Sequence, residues 1–116
     1  MHLSREELAG IIDSIGEVLG IPYAYYQFED TVQAPPFFVW FLSSNTDVFA
    51  DNQNFVDKEV LNFELYTSER DFDLETSFED SLKANGISYS KEAAYVDDEK
   101  IWQIAYESEV IINGNE

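Results

Sequence analysis

Apolar residues recur at helical spacing in two stretches of the chain, and each stretch opens on a residue that can cap a helix. Ser4 and Glu7 form a capping box, in which each side chain accepts a hydrogen bond from the other residue's backbone N–H. With Gly20 as the C-terminal cap and Pro22 beyond it, the pattern predicts a helix from about Arg5 to Leu19. Its apolar stripe is Leu8, Ile11, Ile12, Ile15, Val18 and Leu19.

The second helical stretch follows an acidic segment. Asp71 or Asp73 can cap it, and we expect a helix that runs to about Ala84 and ends at Asn85–Gly86. Residues four apart on one face then form its apolar stripe. These are Leu74, Phe78 and Leu82.

The acids at this helix start also have the spacing that opens a calcium loop. The loop would begin with Asp71, Asp73 and Glu75. Thr76, however, stands where the turn glycine belongs, and Leu82 stands where the bidentate glutamate belongs. We therefore interpret the acids as residues that meet the positive end of the helix dipole.

Five further segments have the composition of β-strands. One of them is apolar at every position, so both of its faces must be covered or one face meets another subunit. The longest segments alternate apolar and polar residues, which predicts one buried and one exposed face for each. The predicted strands are Tyr23–Phe28, Phe37–Leu42 (the apolar one), Phe55–Thr67, Ile87–Val96 and Lys100–Ile112.

The element order is helix, three strands, helix, two strands. Short links between consecutive strands favour antiparallel hairpins. We therefore predict one α+β domain over residues 1–116, with a mainly antiparallel sheet of four to five strands and both helices packed on one face. The predicted core is Leu8, Ile12, Ile15, Leu61, Phe63, Leu74, Phe78, Leu82, Trp102 and Ile104.

The charge balance excludes one class of function, nucleic-acid binding by phosphate neutralisation, and disfavours another, binding to an anionic membrane surface. The 116 residues include 24 acidic and 6 basic side chains, a formal charge of -18. A protein that binds nucleic acid by neutralising phosphates needs clustered Lys and Arg, and an anionic membrane surface would repel this chain. The stretch from Glu6 to Asp57, both included, has nine acids and no Lys or Arg. Such a surface serves solubility, repels DNA or imitates it.

The chain lacks the side chains that most catalytic and metal centres need. It has no Cys, and its one histidine, His2, sits near the N-terminus, where its neighbours cannot hold it as a general base. Asp97–Glu99 could bind a divalent cation weakly, but the tip of a hairpin is the simpler interpretation. We therefore predict no enzymatic activity, no cofactor and no metal site.

With no signal-peptide pattern and no apolar run near the roughly 20 residues of a membrane span, we expect a cytoplasmic protein.

Two groups of apolar residues are candidates for contact with a partner. Val48 and Phe49 lie within the otherwise polar segment Ser43–Asn54. They contact another protein or fold back onto their own domain, and the sequence leaves both open. Several aromatic residues could line a pocket, although core or subunit interface is the more common role. These are Tyr23, Tyr25, Tyr26, Trp40 and Trp102.

Four segments carry a resemblance to a known family. They read Ala-Pro-Pro-Phe-Phe-Val at 34–39, Phe-Ala-Asp-Asn at 49–52, Phe-Glu-Leu-Tyr-Thr-Ser-Glu-Arg-Asp at 63–71 and Trp-Gln-Ile-Ala-Tyr-Glu-Ser-Glu-Val at 102–110. Together with the length, acidity and element order, they resemble the small tail terminator and tail completion (head–tail joining) proteins of long-tailed phages and prophages of Gram-positive bacteria.

The resemblance implies a structural virion protein without catalytic residues or a cofactor. Tail terminators form a ring, usually of six subunits, which stops polymerisation of the tail tube and presents a surface to the head. The expected partners are other copies of the chain, the tail tube protein and head connector proteins, with no direct nucleic-acid or membrane contact. The expected location is the host cytoplasm during assembly and then the head–tail junction of the virion. The charge also fits an alternative, an acidic DNA mimic that inhibits a host DNA-binding protein.

Overall fold

A computed structural model of the chain describes residues 2–28, 33–44 and 56–113. The predicted α+β class is confirmed, and so is the order helix, three strands, helix, two strands, with one additional two-residue strand before the first helix. The elements are β1 (His2–Leu3), α1 (Arg5–Leu19), β2 (Tyr23–Tyr25), β3 (Phe37–Ser44), β4 (Val56–Thr67), α2 (Phe72–Ala84), β5 (Ser90–Val96) and β6 (Ile101–Asn113).

Both helices begin at the caps that the sequence predicts. Ser4 Oγ accepts a hydrogen bond from the Glu7 N–H at 3.0 Å, and Glu7 Oε1 accepts one from the Ser4 N–H at 2.9 Å. Gly20 ends α1 with a left-handed φ of 66°. At the start of α2, Asp71 accepts a hydrogen bond from the Leu74 N–H at 3.0 Å. Caps of this kind contribute about 1 kcal/mol each, so local sequence places both helix starts.

The strands form one mixed sheet in the order β1-β6-β4-β3-β2, with β5 also paired to β6. The pairs β3–β4, β4–β6 and β5–β6 are antiparallel. The pairs β1–β6 and β2–β3 are parallel, so the prediction of an antiparallel hairpin is wrong for β2 and β3. Parallel neighbours cannot be joined by a two-residue hairpin turn, so the connection from β2 to β3 is a crossover.

Two strands are shorter than predicted. The predicted strand Tyr23–Phe28 ends before Tyr26, whose φ of 69° is left-handed and turns the chain away from the sheet. β5 begins at Ser90 and not at Ile87. The Ile87 N–H is hydrogen-bonded to the carbonyl of Leu82 at 2.9 Å, so Ile87 closes the end of α2 before the strand starts.

One face of the sheet packs against both helices, and we call it the core face. Phe78 of α2 is fully buried there. Its ring stacks on Tyr106 with centroids 5.0 Å apart and meets Phe38 and Phe63 edge-on at 5.2 and 5.3 Å. Such ring pairs stabilise the fold in addition to the stabilisation that comes from the large apolar area each aromatic residue buries. The buried cluster is Leu3, Leu8, Ile12, Ile15, Phe38, Leu61, Phe63, Leu65, Phe78, Leu82, Ile87, Ile104, Tyr106, Val110 and Ile112.

Most of the predicted core residues are buried, and two lie at its margin. Leu74 and Trp102 are only partly buried, although both pack against the buried cluster. Trp102 stands near the start of β6, where Arg70 at 5.1 Å and Tyr95 at 5.2 Å lie against its ring. Its ring is therefore covered by side chains at the edge of the sheet.

A glycine allows α1 to approach the short edge strand β2. A Cβ atom on Gly16 would overlap the ring of Tyr23. That ring stacks on Phe38 at 5.2 Å, and its hydroxyl donates a hydrogen bond to Asp13 at 2.7 Å. The bond to the Asp13 carboxylate raises the pKa of Tyr23, because ionisation would bring two negative charges together. Gly16 thus lets β2 be held by both the helix and the sheet.

Candidate functional site: an aromatic groove on the outer face

The face of the sheet opposite the core face, which we call the outer face, has no helix over it in the described ranges. β3 presents Phe37 and Val39 to this face, opposite Tyr66 and Glu64 of β4. The run Phe37–Leu42 is apolar at every position, so residues that do not face the helices are still apolar. Its second apolar face is the one that the sequence predicts to be covered or to meet another subunit.

The outer-face groove has a volume of about 630 Å³ and crosses one end of the sheet. It extends from the crossover between β2 and β3, over β3 and β4, to the turn between β5 and β6. The lining residues are Tyr26, Gln27, Phe28, Gln33, Pro35, Phe37, Val39, Glu64, Tyr66, Ser68, Glu99, Lys100 and Ile101.

Aromatic rings line much of the groove. Phe37 stacks on Tyr66 with centroids 5.0 Å apart, and Phe28 meets Phe37 edge-on at 5.4 Å. Tyr26 also lines the groove and is 62% exposed. Apolar concave surfaces with a few polar groups are the usual form of binding sites, and exposed aromatic residues are typical of protein interfaces.

Two hydrogen bonds hold the Tyr66 ring in place. Its hydroxyl donates to Glu64 Oε1 at 2.8 Å and accepts from Gln103 Nε2 at 2.8 Å. Burial raises the pKa of Tyr66 to about 12, with the bond from Gln103 acting against this and the charges of Glu64 and Glu99 acting with it. At neutral pH the ring is therefore an uncharged phenol in a fixed orientation.

Acidic side chains outnumber basic ones among the residues that line the groove. Glu64 and Glu99 are its carboxylates, and Lys100 is the one cation among the described residues that line it. Within the described part of the chain, no Lys or Arg forms an ion pair with either glutamate. The groove thus combines apolar rings with carboxylates that have no cationic partner there.

A second groove, of about 600 Å³, lies at the start of α2. Its cation, Arg70, already forms an ion pair within the chain. Arg70 donates two hydrogen bonds to Glu75, at 2.9 and 3.0 Å. The guanidinium lies over the rings of Phe72 at 4.6 Å and Trp102 at 5.1 Å. Buried Thr67 Oγ1 has no hydrogen-bond partner among the described residues. The polar groups of this groove mainly fix α2 to the sheet.

Glu75 lies in the first turn of α2, as the sequence predicts, but it is buried there and paired with two cations. It is 1% exposed and is bonded to Arg70 and, at 3.0 Å, to Lys91. Burial acts to raise the pKa of Glu75, but the hydrogen bonds from Arg70 and Lys91 lower it below its ordinary value. Lys91 also bonds Glu79 at 2.6 Å, and Glu79 accepts a hydrogen bond from Tyr106 at 2.8 Å. Two cations and two carboxylates therefore neutralise each other on the core face.

The predicted partner contact, Val48 and Phe49, lies outside the described residues. Of the aromatic residues that could line a pocket, Tyr26 lines the groove. Tyr25 is 54% exposed, does not line the groove and meets Trp40 edge-on at 4.8 Å. In the described ranges no cluster of His, Asp and Glu is arranged to hold a metal ion.

Sequence reasoning missed Phe37, Tyr66 and Glu64 as site residues. The signal was present in the unbroken apolar run at 37–42 and in the alternation of β4. Nothing local to these residues, however, shows that the crossover and the β5–β6 turn lie beside them. Predicting the site would have required knowledge of the strand order in the sheet as well as the pattern along each strand.

The chain matches no protein-family model and no curated protein. No helix among the described residues is long and apolar enough to cross a membrane. The candidate site is therefore described by its own chemistry, an aromatic groove with carboxylates on a chain of formal charge -18.

Proposed function

We propose that this protein is a structural assembly protein that acts as a tail terminator at the head–tail junction of a long-tailed phage or prophage. It assembles as a ring on the finished tail tube, stops polymerisation of the tube and offers a surface to head connector proteins. It assembles in the host cytoplasm and remains in the virion. The role needs shape and adhesion, without catalysis or a cofactor.

The aromatic groove on the outer face is the observation that carries this proposal. Partly exposed apolar rings gathered on one surface are typical of sites that another molecule covers. In the groove, the rings of Phe28, Phe37 and Tyr66 contact each other and line an open volume of about 630 Å³. A binding surface of this kind suits a protein whose work is assembly.

The charge and the geometry of tube growth support the specific role. A tube presents the same surface after each added ring, so growth stops when a different protein caps that surface. A formal charge of -18 suits a ring through which DNA passes, because like charges keep the duplex from adhering. The resemblance at 34–39, 63–71 and 102–110 points to the same family.

Electron microscopy of a phage that lacks the gene tests the proposal. We expect capsids filled with DNA, together with tails that are abnormally long or not joined to heads. Complementation with Tyr26→Asn should restore tails poorly, because the groove loses an exposed ring while asparagine tolerates the left-handed φ of 69° at this position. Tyr25→Asn is the matched control, since Tyr25 is similarly exposed but lies outside the groove. Tails of normal length attached to heads in the deletion lysate would refute the tail-terminator role.

A second candidate function, a DNA mimic, is favoured by the exposed side of α1. Glu6, Asp13 and Glu17 are exposed there at helical spacing, and no Lys or Arg occurs between Glu6 and Asp57. Such a row of carboxylates presents repeated negative charge, as a DNA backbone does. Normal tails in the deletion lysate, with purified protein that competes with duplex DNA for a host DNA-binding protein, would support this function instead.

A further inference from the structure

We propose that the outer-face groove binds an extended protein segment that carries Lys or Arg beside apolar residues. The inference rests on the proposed role in protein assembly and specifies the chemistry of the segment that the groove receives.

The groove has the length of a short extended segment. It extends from the residues that follow β2, over β3 and β4, to the start of β6, and β2, β3, β4 and β6 are successive neighbours in the sheet. Neighbouring strands lie about 4.8 Å apart, so this width is about 14 Å, the length of about four extended residues. A segment laid across the strands would pass over Phe28, Phe37 and Tyr66 in turn, and these rings offer apolar contact along its path.

The carboxylates select for a cation on that segment. Glu64 Oε1 accepts a hydrogen bond from the Tyr66 hydroxyl. Within the described residues, no donor is hydrogen-bonded to the other carboxylate oxygen, Glu64 Oε2. An Arg fork can bond this oxygen while its plane lies against a ring, since guanidinium groups bind both carboxylates and aromatic faces. Glu99 adds a second negative charge at the far end of the groove.

Other classes of occupant are disfavoured by charge. A nucleic acid or a free phosphate would meet Glu64, Glu99 and the -18 charge of the whole chain. A second copy of the chain carries the same surplus of negative charge. A basic segment of another protein gains from both the rings and the carboxylates, and the long-range field of the chain would speed its approach.

Peptide binding to the labelled full-length chain tests the proposal. The probe is acetyl-Leu-Arg-Leu-Arg-amide, and the control is the same peptide with neutral citrulline in place of each arginine. Chemical-shift changes in ¹⁵N-labelled protein should be concentrated at residues 26–28, 37–39, 64–66 and 99–101. We expect the arginine peptide to bind about tenfold more tightly than the citrulline peptide, and its affinity to fall as salt rises.

Two glutamate variants separate a local site from general attraction. Glu64→Gln keeps an acceptor for Tyr66 but removes the charge, so it should weaken the arginine peptide by about five- to tenfold and leave the citrulline peptide unchanged. Glu107→Gln makes the same charge change on the outer face away from the groove, and we expect less than a twofold effect.

The outcomes that contradict the inference are specific. Equal affinity for the arginine and citrulline peptides, equal effects of Glu64→Gln and Glu107→Gln, or shift changes away from the groove would each overturn it. Peptide selectivity with normal tails in the deletion lysate would instead refute the tail-terminator role and leave the groove specificity in place. A tail defect without peptide selectivity would refute the specificity alone.

Discussion

Each face of the sheet carries a tyrosine that donates a hydrogen bond to a glutamate, and the two pairs have different surroundings. On the core face Tyr106 donates to Glu79 at 2.8 Å, and on the outer face Tyr66 donates to Glu64, also at 2.8 Å. Glu79 additionally bonds Lys91 at 2.6 Å. Within the described part of the chain, Glu64 has no such cation. The glutamate of the first pair is neutralised by a lysine of the same chain, and within the described residues the glutamate of the second pair is not.

The difference arises from what packs over each face. On the core face α2 supplies Glu75 and Glu79, and Arg70 and Lys91 reach them from the chain before α2 and from β5. Buried charges are tolerated only when they are paired in this way. On the outer face no described element packs above Glu64, so water or a partner must solvate its carboxylate. Stability is therefore expected to depend on the core face, and binding on the outer face.

Aromatic truncation on the two faces gives the largest expected contrast. Phe78→Ala removes a fully buried ring that contacts Phe38, Phe63 and Tyr106, and it should cost about 3–5 kcal/mol of the free energy of unfolding. Phe37→Ala removes a partly buried ring from the groove and should cost about 1–2 kcal/mol, because less area returns to water. Urea denaturation followed by circular dichroism measures both. Equal losses would show that the outer face is as important to folding as the core face.

Charge removal on the two faces gives an intermediate contrast. Glu75→Gln leaves Arg70 and Lys91 without their shared carboxylate, and we expect a loss of about 1.5–3 kcal/mol. The loss stays below that of a fully buried pair because these cations are 27% and 33% exposed and can turn to water. Glu64→Gln should change the free energy of unfolding by less than about 0.5 kcal/mol.

Denaturant midpoints at pH 7 compare the two glutamate variants directly. They must be read at matched ionic strength, because each variant also lowers a large net negative charge. A Glu64→Gln variant that is destabilised as much as Glu75→Gln would mean that the outer carboxylate is structural.

The smallest expected effect is a loss of stability at alkaline pH that is caused by the two tyrosines. Burial raises the pKa of Tyr66 to about 12, and burial together with the bond to Glu79 raises the pKa of Tyr106 above its ordinary value. As the pH rises above about 10, the unfolded chain loses protons that the folded chain keeps, so stability falls with pH from there. Tyr66→Phe should flatten this fall between pH 10 and 11 relative to the unaltered chain. Unfolding free energies at several pH values decide this, and identical slopes would argue against the raised pKa of Tyr66.

The outer-face groove was only partly predictable. The apolar run Phe37–Leu42 indicated a second apolar face. The alternation of β4 placed Glu64 on the face of the sheet that points away from the core. Tyr26 and Glu99, in contrast, reach the groove from a crossover and a turn that are distant along the chain. Their place depends on the strand order, which no local pattern encodes.

By itself the sequence determined those features that depend on residues within one or two turns of each other. The capping box at Ser4, the Asp71 cap and the apolar stripes were enough to place both helices, and the period of two assigned the faces of β4 and β6. Only the tertiary structure decided that β6 lies between β4 and β5, that β2 runs parallel to β3, and that Glu75 is buried. These depend on contacts between distant segments, where packing and charge pairing act together and local spacing carries no information.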